Sequence, residues 1–213
     1  MHRLTVPLMP PLIPAPAAPV LWAESFDHWD SGRWHDVEVH RRTEYQVIVL
    51  DGRPCLQARS RNGASILLTQ VRFNPETYEW LSWEWRVDRL VGGEALERKE
   101  GSDASARVYV YFETRGLPWQ KRNLDYVWSA SLPVGTLLSS AFSAESRIIV
   151  AESGEHALGR WRRVARNLEE DYERAFGEGP LPDVIAIGLM TDTDNTGSEA
   201  LAYFDELRVS RQP

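Results

Sequence analysis

The chain has 213 residues, a formal charge of −7, a single cysteine, and nine Trp, seven Tyr and six Phe. The net negative field repels polyanions, so no nucleic-acid partner is expected. Cys55 alone can form neither an internal disulfide nor a multi-cysteine zinc site, and a chain of this length carries one substantial core.

Residues 1–19, MHRLTVPLMPPLIPAPAAP, have a basic start, an apolar middle and small residues at Ala15 to Ala18. That is the outline of a secretory signal, but the prolines from Pro7 to Pro16 break the apolar run. The segment reads as a Pro-rich leader or degenerate signal, and a periplasmic or secreted location is expected over a cytoplasmic one. No stretch is long and apolar enough to span a bilayer as a helix. Residues 20–213 are expected to form a single domain, whose oligomeric state the sequence does not indicate.

From Val20 onward the dominant period is two. Strands are expected at Val20 to Phe26, Trp34 to Val39, Tyr45 to Leu50 and Pro54 to Ser60, the last two joined by the hairpin signal Asp51-Gly52. They continue at Ser65 to Gln70, Tyr78 to Val87, Ala106 to Phe112, Tyr126 to Ser131 and Arg147 to Ala151. The last are Trp161 to Asn167, Val184 to Thr191 and Leu201 to Ser210. Such spacing predicts an all-β fold, an antiparallel β-sandwich of jelly-roll or concanavalin-like form. One helix is expected near 168–176, with Asn167 as N-cap, Glu170 as capping-box partner and Gly177 past its end. Leu168, Tyr172 and Phe176 give it one apolar stripe, suited to lidding an end of the sandwich. The basic run Arg160-Trp161-Arg162-Arg163 reads as solvated arginines on an edge strand, with an anion-binding patch as the alternative.

Alternation also sorts the faces. Leu81, Trp83, Trp85 and Val87 should be core, with Ser82, Glu84 and Arg86 opposite; Val108, Val110 and Phe112 should be core, with Arg107, Tyr109 and Tyr111 opposite. If these strands are neighbours, one face presents Glu84, Arg86, Arg107, Tyr109 and Tyr111 together. Aromatic planes and bidentate polar groups of this kind suit a carbohydrate or similar polyhydroxy ligand, and the alternative is an outer face laced by cross-strand ion pairs. Asp125, Tyr126, Trp128, Asp192, Asp194 and Asn195 join the candidate ligand residues. Two long polar connections, Gly92 to Ser105 and Thr114 to Asp125, flank the second strand, and Trp119 in the latter is either a packed or a stacking residue.

The run Asp192-Thr193-Asp194-Asn195-Thr196-Gly197 does not match a helix-loop-helix calcium loop, because Thr196 and Tyr203 stand where two ligands are needed and strands flank it. It reads as an Asx-type turn with Gly197 at positive φ, and Asp192, Asp194 and Asn195 are candidate calcium donors in another geometry. No zinc-protease, nucleophile-elbow or phosphate-loop motif occurs. For an enzyme acting on polysaccharide, Glu84, Asp125, Asp192 and Asp194 are the candidate carboxylates of a hydrolase. A lyase would use Arg107 with Tyr126 or Tyr109.

Leu81-Ser82-Trp83-Glu84-Trp85-Arg86-Val87, Ala106-Arg107-Val108-Tyr109-Val110, Tyr126-Val127-Trp128-Ser129 and Met190 to Gly197 together resemble a bacterial family, domain-of-unknown-function family 3047, over about Glu24 to Val209. The resemblance implies a β-sandwich, commonly exported, without an established activity. The family pattern carries Asn before Tyr-Val-Trp, where this chain has Asp125. The ending Ala202 to Val209 is similar to the last strand of jelly-roll carbohydrate-binding modules. That likeness implies a structural calcium at Asp205 with Glu24 or Asp27. Phe204 and Leu207 are three apart, so burying both requires a bulge at Asp205-Glu206. The expected function is non-catalytic carbohydrate binding; a polysaccharide-active enzyme and a structural or partner-binding envelope protein are the alternatives.

Overall fold

A computed structural model describes residues 19–114 and 121–213. The leader through residue 18, and Trp119, lie outside the described residues. In chain order the strands are β1 (Val20–Glu24), β2 (Trp34–His40), β3 (Glu44–Leu50), β4 (Arg53–Arg61), β5 (Ala64–Phe73), β6 (Trp80–Arg89) and β7 (Ala106–Phe112). They continue as β8 (Asn123–Ser129), β9 (Leu137–Ser139), β10 (Ser146–Ser153) and β11 (Arg162–Asn167), then helix α1 (Leu168–Phe176), β12 (Val184–Met190) and β13 (Glu199–Ser210).

Two sheets form a sandwich. The six-stranded sheet runs β11-β6-β13-β4-β3 with β1 also on β13, and the seven-stranded sheet runs β2-β5-β12-β7-β8-β10-β9. Pairing is antiparallel except between β8 and β10, which lie parallel because a crossover containing the short β9 separates them. Asp51 and Gly52, at φ 53 and 83, turn β3 into β4 with Leu50 opposite Arg53, the double positive φ of a type I′ hairpin.

The core is where the inner faces meet. Trp83 and Trp85 of β6 contact each other edge-on at 5.3 Å and reach across to the other sheet, Trp83 to Tyr126 at 5.3 Å and Trp85 to Trp128 at 5.9 Å. Val108, Val110 and Phe112 are fully buried in the same cluster. Tyr126 and Trp128 are therefore core residues and not part of a ligand face. Both are 0 % exposed, with Tyr126 Oη donating to Asp171 at 2.9 Å and Trp128 Nε1 to the Gly154 carbonyl at 3.2 Å. In β13, Phe204 and Leu207 are both fully buried because the register slips between Asp205 and Arg208, with Glu206 at φ 51.

Asn167 caps α1 by accepting from Glu170 N at 3.1 Å, and Gly177 ends the helix at φ 85. Leu168 and Tyr172 enter the core, Tyr172 lying 4.7 Å from Phe112, so the helix closes one end of the sandwich. Arg160, Arg162 and Arg163 are exposed where the chain enters the edge strand β11, and Arg162 pairs with Glu152 at 2.8 Å. Among the described residues no helix is long and apolar enough to cross a membrane.

Removing the Asn167 cap leaves a first-turn amide of α1 without its partner. Asn167→Ala is expected to lower unfolding stability by about 1 kcal/mol in urea titration, and Asn167→Gly by only a few tenths.

Candidate ligand-binding site

The outer face of the seven-stranded sheet carries a depression of about 270 Å³. Tyr109 and Tyr111, two apart on β7, point to the same side, and their rings are nearly parallel at 5.7 Å and 24°. Beside them on β12 stands Gly188, in register with Tyr109 and with Leu68 of β5. A Cβ at Gly188 would come within 2.8 Å of Ile66 Cγ2 and 3.5 Å of Tyr109 Cβ, so glycine allows this close approach across three strands. Val39 and Phe142 also line the depression while 61 % and 58 % exposed, which gives it an apolar rim.

Beside the tyrosines lies a buried ionic cluster. Arg107, 3 % exposed, donates from Nε to Asp192 Oδ1 at 2.8 Å, from Nη1 to Asp125 Oδ2, and from Nη2 to the Ser102 carbonyl at 2.6 Å. All three guanidinium nitrogens are thus engaged. Asp192 Oδ1 also accepts from Ala104 N at 3.0 Å, whereas Asp125 Oδ1 is buried without a hydrogen-bond partner. Burial pushes the Asp192 carboxyl up to about 7 against the opposing pull of Arg107. Burial likewise raises Asp125, with Arg107 opposing, and holds the Tyr109 phenol well above its usual range.

Asp192 to Gly197 forms the corner by which the chain leaves β12 of one sheet for β13 of the other, with Gly197 at φ 65. Its amides are held differently from an Asx turn. Asp103, fully buried in the preceding long connection, accepts from Asn195 N at 3.2 Å, from Thr196 N at 2.7 Å and from Thr196 Oγ1 at 2.7 Å. Thr193 Oγ1 meets Ser60 Oγ at 2.7 Å, which ties the corner to β4. The sequence reading missed Asp103; its only signal was its place in the polar Gly92 to Ser105 segment.

The structure gathers Arg107, Tyr109, Tyr111, Asp125, Asp192, Asp194 and Asn195 around one depression. Glu84 and Arg86 are not there. The strands β6 and β7 belong to opposite sheets, so their outward faces look away from each other; alternation assigns a side within a strand but not the sheet it joins. On its own face Arg53 bonds Glu84 at 2.7 Å, bonds Asp205 and lies 4.3 Å over Trp161, while Arg86 bonds Asp88 at 2.6 Å and Asp51 at 2.8 Å. That face is the ion-paired outer surface of the alternative reading.

Among the described residues, oxygens of Asp103, Asp192 and Asp194 lie within 4.8 Å of one another, about twice a calcium–oxygen bond. Asp103 takes the third place expected of Asn195, whose Nδ2 donates to Asp194 at 3.1 Å. Glu24, Asp27 and Asp205 do not converge into such a group. Glu24 accepts from Phe26 N at 2.9 Å and Trp34 Nε1 at 3.2 Å, Asp27 accepts from Ser25 at 2.7 Å, and Asp205 is taken by Arg53.

Fold and site together define a β-sandwich with a polar, aromatic depression on one outer sheet face. The sequence matches the family described as protein of unknown function (DUF3047) over residues 32–208, and the chain belongs to that family. No protein of curated function matches it. Similar solved structures include the family 11 carbohydrate-binding module of the cellulosomal cellulase Lic26A-Cel5E of Clostridium thermocellum (TM-score 0.49, 8% identity, covering 92% of this chain and 95% of that one). Another is the CBM22-1 xylan-binding domain from Paenibacillus barcinonensis Xyn10C (0.44, 13%, 92% and 96%). A third is the cellulose induced protein Cip1 (0.49, 8%, 90% and 97%). Likenesses at this level concern general architecture and do not bear on what this chain binds.

Because Asp192 moves from 3.8 to about 7 on folding, the native state binds its proton more tightly than the unfolded chain does. Stability from this group is complete below about pH 4 and is lost as pH rises through about 7. Thermal melts across that range are expected to show a falling contribution that Asp192→Asn flattens; an unchanged slope in the variant would contradict the assignment.

Proposed function

We propose that the protein binds a carbohydrate or similar polyhydroxy ligand in the depression on the seven-stranded sheet, without cleaving it. The observation that carries this reading is the Tyr109–Tyr111 pair, near-parallel at 5.7 Å on one face beside the Arg107–Asp125–Asp192 cluster. Sugar rings offer apolar C–H faces for aromatic planes and hydroxyls for carboxylates and amides, which is the combination this face holds. The exposed rim residues Val39 and Phe142 fit the same two-sided chemistry.

The same geometry is poorly suited to the lyase roles. Arg107 is buried and already paired with Asp125 and Asp192, Tyr126 is enclosed in the core, and the raised Tyr109 phenol is a weak source of base. Of the hydrolase candidates, Glu84 stands on the other sheet. Asp192, pushed to about 7, has the protonation of a general acid but is 4 % exposed and bound to Arg107.

A glycan array followed by titration calorimetry tests the reading. Tyr109→Ala and Tyr111→Ala are each expected to weaken the bound glycan by about tenfold or more while near-native circular dichroism is kept. Binding that survives both substitutions unchanged would move the site elsewhere, and either the absence of any bound glycan or the release of a cleaved product would remove the proposal.

A further inference from the structure

The depression is lined by more carboxyl groups than cationic ones. Three carboxyl groups, of Asp125, Asp192 and Asp194, line it with a single guanidinium, that of Arg107, and Asp103 lies behind Asp192 and Asp194. Three of its five N–H groups already donate within the protein and its side chain is 3 % exposed, so it offers a ligand little. Independently of the Asp103–Asp192–Asp194 group, Asp125, 2 % exposed, lines the depression and leaves its Oδ1 buried without a partner. Buried acceptors of this kind are costly unless a donor reaches them. At the rim Lys99 Nζ lies 5.7 Å from the Phe142 ring.

Resting on the carbohydrate reading above, we infer that the depression selects a sugar bearing a free, protonated amino group over neutral and acidic sugars. A uronic or sulfated sugar would bring a further anion against the carboxylates. A neutral sugar could donate hydroxyls but would leave the charge excess in place. An ammonium brings three donors and a positive charge at once. The faces of Tyr109 and Tyr111 add to the preference, because a ring quadrupole attracts a cation held over it. Sheet register places these groups together: Asp125 lies opposite Tyr109 on the neighbouring strand, and Asp192 stands two residues past the end of β12.

The test is calorimetric titration of the intact protein, at low salt, with three tetramers: glucosamine, N-acetylglucosamine and galacturonic acid. The glucosamine tetramer is expected to bind at least about tenfold more tightly than its acetylated counterpart, with no binding of the galacturonate. Raised salt should erode the preference, and Asp194→Asn should reduce it. Equal or tighter binding of the acetylated or another neutral glycan would overturn this inference and leave the carbohydrate reading standing. Absence of binding by any glycan would overturn both. Calcium chloride raising the melting temperature of the native protein but not of Asp194→Asn would assign the carboxylates to a metal, and this also overturns the inference.

Discussion

The outer face of the seven-stranded sheet is organised around one buried cation. Arg107 leaves β7 and is caught by Asp125 of β8, by Asp192 in the corner after β12, and by the Ser102 carbonyl of the long connection before β7. Strands β7 and β8, the corner after β12 and the connection before β7 are thereby fixed to one another. A charge at 3 % exposure survives only when its partners are complete, and removing one partner of such a pair typically costs about 3–5 kcal/mol. The guanidinium therefore works inward, as the fastening of the face, while the groups around it are turned toward the depression. Asp103 extends the fastening by holding the amides of the corner between the two sheets.

The two outer faces then have different characters although both descend from the same alternating pattern. On the six-stranded sheet, Arg53 and Arg86 each meet two carboxylates and lie over the Trp161 and Tyr203 rings, so opposite charges are largely matched within the face. On the seven-stranded sheet the charges are less evenly matched, two carboxylate oxygens, of Asp36 and Asp125, are buried without a hydrogen-bond partner, and two tyrosine rings lie side by side beneath an exposed apolar rim. Matched surfaces are stable as they stand; the unmatched one is the face to which we assign the proposed ligand.

Much of the architecture was legible in local chemistry. Asp51-Gly52 marked the hairpin, Asn167 and Gly177 marked both ends of the helix, and the three-residue spacing of Phe204 and Leu207 required the bulge now seen with Glu206 at positive φ. Each of these is decided within a few residues of chain. The site was legible only in part, because its assembly depends on which strands share a sheet. Glu84 and Arg86 follow the same alternation as Arg107 and Tyr109 yet end on the opposite side of the sandwich. Tyr126 and Trp128 carry ring types suited to either role, and the inward pleat of β8 made them core. Asp103 had no local pattern at all, since its partners lie more than ninety residues away in the corner after β12.

The central claim is that ligand contact falls on the seven-stranded face, at the tyrosine pair and the acidic corner. Backbone amide chemical-shift mapping by NMR, with the tightest glycan added stepwise to the labelled protein, tests this most directly. The account predicts saturating shifts clustered at Tyr109, Tyr111, Gly188 and Asp194, with the amides of Glu84, Arg86 and Tyr203 unmoved. Shifts centred on Trp161 and Tyr203 of the opposite face, with the Tyr109 and Gly188 amides unchanged, would contradict it.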